Sequence, residues 1–156
     1  MNISDFLKEE NVFTALNTSY EDTSAFYNDF ALFLQERKLI GDPQRVKRLF
    51  IKRENLHTTG IGRGAAAPHI YSDEFREFLF ALAFIRRGID FKAQDQQPVH
   101  LIFLLMSSEE EVSLHLKLLS RVARLVRETD VAESSIKAAD GKEILNLVLD
   151  REKRLD

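Results

Sequence analysis

Two histidines and one arginine, His69, His115 and Arg53, carry the residue types from which group transfer could be built. His69 ends the run Thr58-Thr59-Gly60-Ile61-Gly62-Arg63-Gly64-Ala65-Ala66-Ala67-Pro68-His69, whose glycines and alanines leave little side-chain bulk around the imidazole. A neutral imidazole is a good nitrogen nucleophile near pH 7, and a phosphoramidate formed on it is labile enough to be passed on. An arginine offers a planar fork of donors to phosphate oxygens. Glycines let backbone N–H groups approach an anion closely and cup it. Gly60, Gly62, Arg63 and Gly64 are therefore candidates for a phosphate-binding loop, with His69, His115 and Arg53 as the chemical residues.

Each feature also has a plainer reading. A histidine after a proline is commonly just a loop residue. His115 beside leucines suits a packing residue, and Arg53 in Lys52-Arg53-Glu54 suits a solvated charge. The glycine spacing is not the dinucleotide pattern, and no lysine follows it as in a nucleotide P-loop. Residue chemistry alone stops at phosphate binding.

Composition removes other classes. There is no cysteine, which rules out disulfides and thiolate chemistry. The four histidines show no His-x-x-x-His pair and no carboxylates at ligand spacing, so no metal and no cofactor are expected. A Gly-x-Ser-x-Gly hydrolase motif is absent. The net charge of −3 gives no broad basic face for nucleic acid. No apolar run approaches the ~20 residues of a membrane helix, and the first ten residues lack a signal pattern. The expectation is a cytoplasmic protein with no membrane insertion, folded as one domain over residues 1–156.

The elements that would hold these residues follow from periodicity. Phe26, Phe30, Phe33 and Leu34 recur at helical spacing, with Gly41 beyond them as a stop. Asp42-Pro43 reads as an N-cap and first turn of a second helix. Val46, Leu49 and Phe50 form its stripe, and its C-terminal end delivers Arg53. Phe78–Ile85 and Val99–Met106 are short apolar runs that suit strands buried on both faces. A long helix over Val112–Glu128 carries His115 and the stripe Leu114, Leu118, Leu119, Val122, Leu125 and Val126. Asp140 and Glu143 form a capping pair for a last helix with Ile144, Leu147 and Val148 inward. Buried strands alternating with amphipathic helices predict an α/β fold, a sheet sandwiched by helices.

The ordered set Arg53-Glu54, Thr58 to Gly64, Ala65 to His69, Val99 to Leu105, Glu109 to Glu111 and His115 to Ala123 is more specific than any part of it. It resembles the IIA proteins of the bacterial phosphoenolpyruvate:sugar phosphotransferase system (PTS EIIA), in the mannitol/fructose class with its nitrogen-regulatory branch (IIA-Ntr-like). The resemblance covers almost the whole chain and implies a mixed β-sheet sandwiched by α-helices. It also implies that His69 receives a phosphoryl group from the phosphocarrier HPr or its nitrogen-branch relative. His115 would hydrogen-bond that group, and Arg53 would orient and neutralise it. Two onward roles are implied. In one, the protein is a nitrogen-regulation switch whose phosphohistidine state selects a target protein such as a transporter or kinase. In the other, it is a sugar transport component passing phosphate to a separate IIB protein; the chain contains no IIB or IIC segment.

Some positions depart from the family pattern. Arg63 stands where asparagine is common, and Ile70-Tyr71 replaces a small residue after the acceptor, which is expected to crowd it or to extend an apolar docking rim. Ile70, Phe75 and Phe78 are candidates for that rim and equally for the core. His57 reads as exposed and His100 as structural.

Overall fold

The computed structural model describes residues 1–156. Six strands form one mixed sheet: β1 (Val12–Ala15), β2 (Gly60–Gly62), β3 (Ala65–Ala66), β4 (His69–Tyr71), β5 (Leu79–Ile89) and β6 (Val99–Ser107). The order is β1-β5-β6-β3-β2, with β4 also paired to β6. β5 and β6 are antiparallel, whereas β1 runs parallel to β5, and β3 and β4 run parallel to β6. The helices are α1 (Thr23–Glu36), α2 (Pro43–Leu56), α3 (Val112–Glu128), α4 (Val131–Ser135) and α5 (Gly141–Glu152).

The two central strands show why their sequences are almost continuously apolar. Ala81, Ala83 and Ile85 of β5, with Ile102, Leu104 and Met106 of β6, pack under α1 and α2. The alternate residues Phe80, Leu82, Phe84, Leu101, Phe103 and Leu105 pack under α3, α4 and α5. Period-two alternation with both faces covered leaves no solvent-facing position to be polar over Phe80–Ile85 and Leu101–Met106. Aspartates cap three helices, and Asp42 and Asp140 do so where the sequence indicated. Asp22 accepts from the Ala25 N–H at 2.9 Å, Asp42 from Arg45 at 3.1 Å and Asp140 from Glu143 at 2.9 Å. Glu143 reaches back to the Ala139 N–H at 2.6 Å, one residue upstream of the expected reciprocal bond. No helix is long and apolar enough to cross a membrane.

The glycine segment is where the structure adds most to the sequence reading. Residues expected to form a loop instead form β2, a tight hairpin tip, β3 and β4. Their strands are two or three residues long, too short for any period to register. β3 and β4 lie end to end along one edge of β6, with Ala65 opposite Leu101 and His69 opposite Leu105. β6 is the only strand β4 pairs with, so His69 sits at a sheet edge reached from both helical layers.

Candidate functional site

His69 is the first residue of β4. The Leu105 N–H bonds the Pro68 carbonyl at 3.1 Å and so locks the entry to the strand. Alternation then places Ile70 in the α1/α2 core, while the rings of His69 and Tyr71 turn toward His115 on α3. Ile70 is buried, and it borders the cleft beside His69. The imidazole of His69 is half-buried, and its Nδ1 lies 3.3 Å from the Ala67 carbonyl oxygen. A carbonyl can only accept, so Nδ1 carries the proton and Nε2 keeps its lone pair. Burial pushes the His69 pKa below its ordinary value, and the Arg53 charge acts in the same direction, against the Ala67 carbonyl and Glu54. The ring is thus neutral and nucleophilic near pH 7.

Arg53 comes from the last turn of α2 and shares a shallow cleft with His69, Tyr71, Leu56 and Glu109. One guanidinium nitrogen, Nη1, donates to the His57 carbonyl at 2.8 Å, which steadies the fork. The end of α2 is anchored next door. Glu54 accepts from the Tyr27 hydroxyl at 2.6 Å, the Thr59 N–H at 2.6 Å and the Thr59 hydroxyl at 2.7 Å. That carboxylate ties α1, α2 and the start of the glycine segment together, which fixes where Arg53 projects.

His115 lies in the first turn of α3 and is fully buried. Its ring centroid is 6.2 Å from that of His69, 4.4 Å from Tyr71 and 5.0 Å from Phe78. Burial, followed by the neighbouring His69, pushes its pKa down to about 4. Tyr71 was not among the candidate catalytic or binding residues, yet it lines the cleft and covers one face of His115.

The hairpin tip does not join this group. Gly60 is packed so closely on Ala93 that an added Cβ would lie 2.9 Å from the Ala93 Cβ. Gly62, Arg63 and Gly64 take φ values of 90°, 59° and 87° to make the tight turn. The Arg63 N–H donates to an Asp95 carboxylate oxygen at 2.8 Å, so the backbone concavity already holds an anion from the chain itself. The Arg63 side chain pairs with Glu133 at 3.0 Å and donates to the Arg127 carbonyl at 2.6 Å. Along β6 the partners of Ala65 and His69 are four residues apart, about 13 Å. The structure therefore brings Arg53, His69 and His115 together and leaves Gly62, Arg63 and Gly64 at a separate place.

The remaining candidates also find places. Ile70 and Phe75 are buried in the core, and Phe78 is half-buried between Phe6 and His115. The large exposed apolar side chains near the site are Leu56 at the end of α2 and Val112 and Leu116 at the start of α3. His57 is exposed, and His100 directs Nδ1 at the carbonyls of Ile85 and Arg86, as suits a structural role.

With this geometry in view, the comparisons with known proteins are consistent among themselves. Residues 5–151 match the family described as phosphoenolpyruvate-dependent sugar phosphotransferase system, EIIA 2. A nitrogen regulatory protein of Bradyrhizobium diazoefficiens is 32% identical over 149 residues, covering 95% of each chain. The fructose-specific EIIABC component of Bacillus subtilis is 25% identical over 153 residues, and there the chain spans only 24% of the relative's length. Among solved structures, the nitrogen regulatory protein IIA-Ntr from Neisseria meningitidis superposes with a TM-score of 0.82 at 25% identity, covering 94% of this chain and 98% of the other.

Proposed function

This chain belongs to the EIIA 2 family of the phosphoenolpyruvate-dependent sugar phosphotransferase system, and from that premise we propose that His69 is its phosphoryl acceptor. The donor would be HPr or its nitrogen-branch relative. The observation that carries this reading is the bare Nε2 of a neutral His69, at a sheet edge in a cleft shared with Arg53 and beside His115.

The roles follow from the chemistry of the transfer. The Nε2 lone pair forms a bond to the incoming phosphorus as the donor's N–P bond breaks. Positive charge then develops on the ring, and the Ala67 carbonyl, accepting from Nδ1–H, stabilises it. Arg53 neutralises the equatorial oxygens, which is most of what a protein can contribute to phosphoryl transfer. The exposed Leu56, Val112 and Leu116 offer a small apolar rim for a transient partner.

For the onward step we favour nitrogen-PTS-type regulation. The nitrogen regulatory relative matches over nearly its full length at higher identity than the fructose component does. In that role the phosphorylation state would change the affinity for a target protein. The match to a fructose-specific component supports the second reading, transfer to a IIB protein for sugar uptake.

The test is intact mass after incubation with phosphoenolpyruvate, enzyme I and HPr, beside His69→Ala. An acid-labile gain of one phosphate, absent from the variant, is expected. No gain with either HPr or its nitrogen-branch relative would overturn the proposal.

A further inference from the structure

His115 has one nitrogen well satisfied and one orphaned. Its Nε2 lies 2.7 Å from the Ser107 hydroxyl oxygen, and that hydroxyl in turn donates to the Ser108 carbonyl at 2.9 Å. The Ser107 hydroxyl has a single hydrogen to donate. If it goes to Ser108, Nε2 must be the donor to Ser107, and both bonds are made. The opposite tautomer lets the hydroxyl satisfy only one of its two acceptors and leaves a buried Nδ1–H unpaired, which is the costlier arrangement. Nδ1 is therefore a bare lone pair, shut off from water and without a partner. Native proteins rarely keep such an atom without a use.

We propose that Ser107 is a positioning residue that fixes the Nε2–H tautomer of His115, so that loading His69 with a phosphoryl group draws one proton from solvent onto His115 Nδ1. This inference rests on the reading of His69 as the acceptor. The balance is simple: neutral His115 takes up one proton, no proton leaves Nε2, and the imidazolium gains an N–H donor to meet the phosphoryl dianion. Loss of the phosphoryl group returns that proton to solvent. Ser107 accepts from Nε2–H in both states and need not rearrange. The titratable groups that face His115 from other elements are His69 and Tyr71 of β4; Phe78 walls it without charge, and Ser107 and Ser108 add none. Burial keeps the ring neutral in the free protein, and the arriving dianion supplies the field that reverses this.

The test reads the nitrogens directly. Long-range ¹⁵N–¹H spectra of His115 are recorded on the free protein and after phosphorylation with potassium phosphoramidate or HPr, with the label located on His69 by mass. A protonated Nε2 and bare Nδ1 in the free state, and two protonated nitrogens in the loaded state, are expected. A free-state Nδ1–H, or a bare Nδ1 after loading, would overturn the proposal. Ser107→Ala should show both tautomers in the free state and accept phosphate about tenfold more slowly at unchanged KM for HPr, with Ser107→Thr restoring both. A Ser107→Ala protein with the wild-type tautomer and rate would overturn it equally. A protein labelled by neither reagent overturns the acceptor reading instead, and mass shows this before any spectrum is taken; the free-state spectra then still decide the role of Ser107.

Discussion

The imidazole of His69 is held by the carbonyl of Ala67, two residues before it in the chain, through Nδ1 at 3.3 Å. The contact spans only Pro68, whose own carbonyl is committed to Leu105 of β6. The nitrogen left with a lone pair is thus selected by local backbone, while its surroundings come from helices in two different layers.

Removal of each site residue should have a distinct signature. His69→Ala is expected to take no phosphate. Arg53→Ala should slow acceptance by about 100-fold through loss of charge on the transferring oxygens. His115→Ala should retain some acceptance and impair onward transfer. Quenched time courses read by intact mass separate the three, and equal rates in wild type and Arg53→Ala would remove that arginine from the mechanism.

Acceptance should persist below the pH at which an ordinary histidine protonates. Burial and then Arg53 lower the His69 pKa, so the nucleophilic form survives as pH falls below 6.5. Arg53→Gln removes a charge that disfavours protonation, so the acid limb should move to higher pH. Initial rates of labelling from about pH 8 to about pH 5 measure both limbs.

Stability should decline with acid for a related reason. In the unfolded chain His115 protonates near 6.5, whereas in the fold it is held to about 4. Between those values the unfolded state binds more protons, so folding loses free energy as pH falls through this window and the full contribution is present only above it. The loss is on the order of 3 kcal/mol. Across the window the urea midpoint of wild type should fall relative to that of His115→Phe, which carries no titrating group at this position.

Glu54 should act on stability more than on chemistry. Glu54→Ala strands the Tyr27 hydroxyl and both Thr59 donors, at a cost of about 2–3 kcal/mol, and Tyr27→Phe removes a single bond at about 1 kcal/mol. Denaturant titration of both variants and their double mutant measures the coupling.

Arg63→Ala is the control for the hairpin tip. Its ion pair with Glu133 is half exposed on both sides and contributes less than about 1 kcal/mol. Phosphoryl acceptance should stay within about twofold of wild type, because the tip lies about 13 Å or more along the sheet from His69. A larger loss in the labelling assay would return Arg63 to the site.

The long elements were legible from the chain because their signals are long. The stripe on Val112–Glu128 and the run from Val99 agree with the structure to within a residue, and Asp42 and Asp140 cap helices as read. β1, β2, β3 and β4 escaped, since two to four residues cannot display a period. The glycine run showed that a tight turn was needed but not what it would face; Asp95, an acidic residue 32 positions away, fills the concavity. Arg53, His69 and His115 could be matched by type and order, yet their convergence depends on β4 pairing with the far end of β6. Ser107 and Tyr71 had no signal of their own. A serine and a tyrosine at ordinary positions gain meaning only from the ring that lies between them.

The alternation of β4 makes His69 and Ile70 a matter of parity. Ile70 is buried among Phe, Leu and Ile side chains, and its insertion decides which way its neighbour points. A slip by one residue would exchange them, sinking the His69 imidazole into hydrocarbon and setting an isoleucine against Tyr71 and His115. An isoleucine buried in the core thus acts as the keel that holds the His69 imidazole upright.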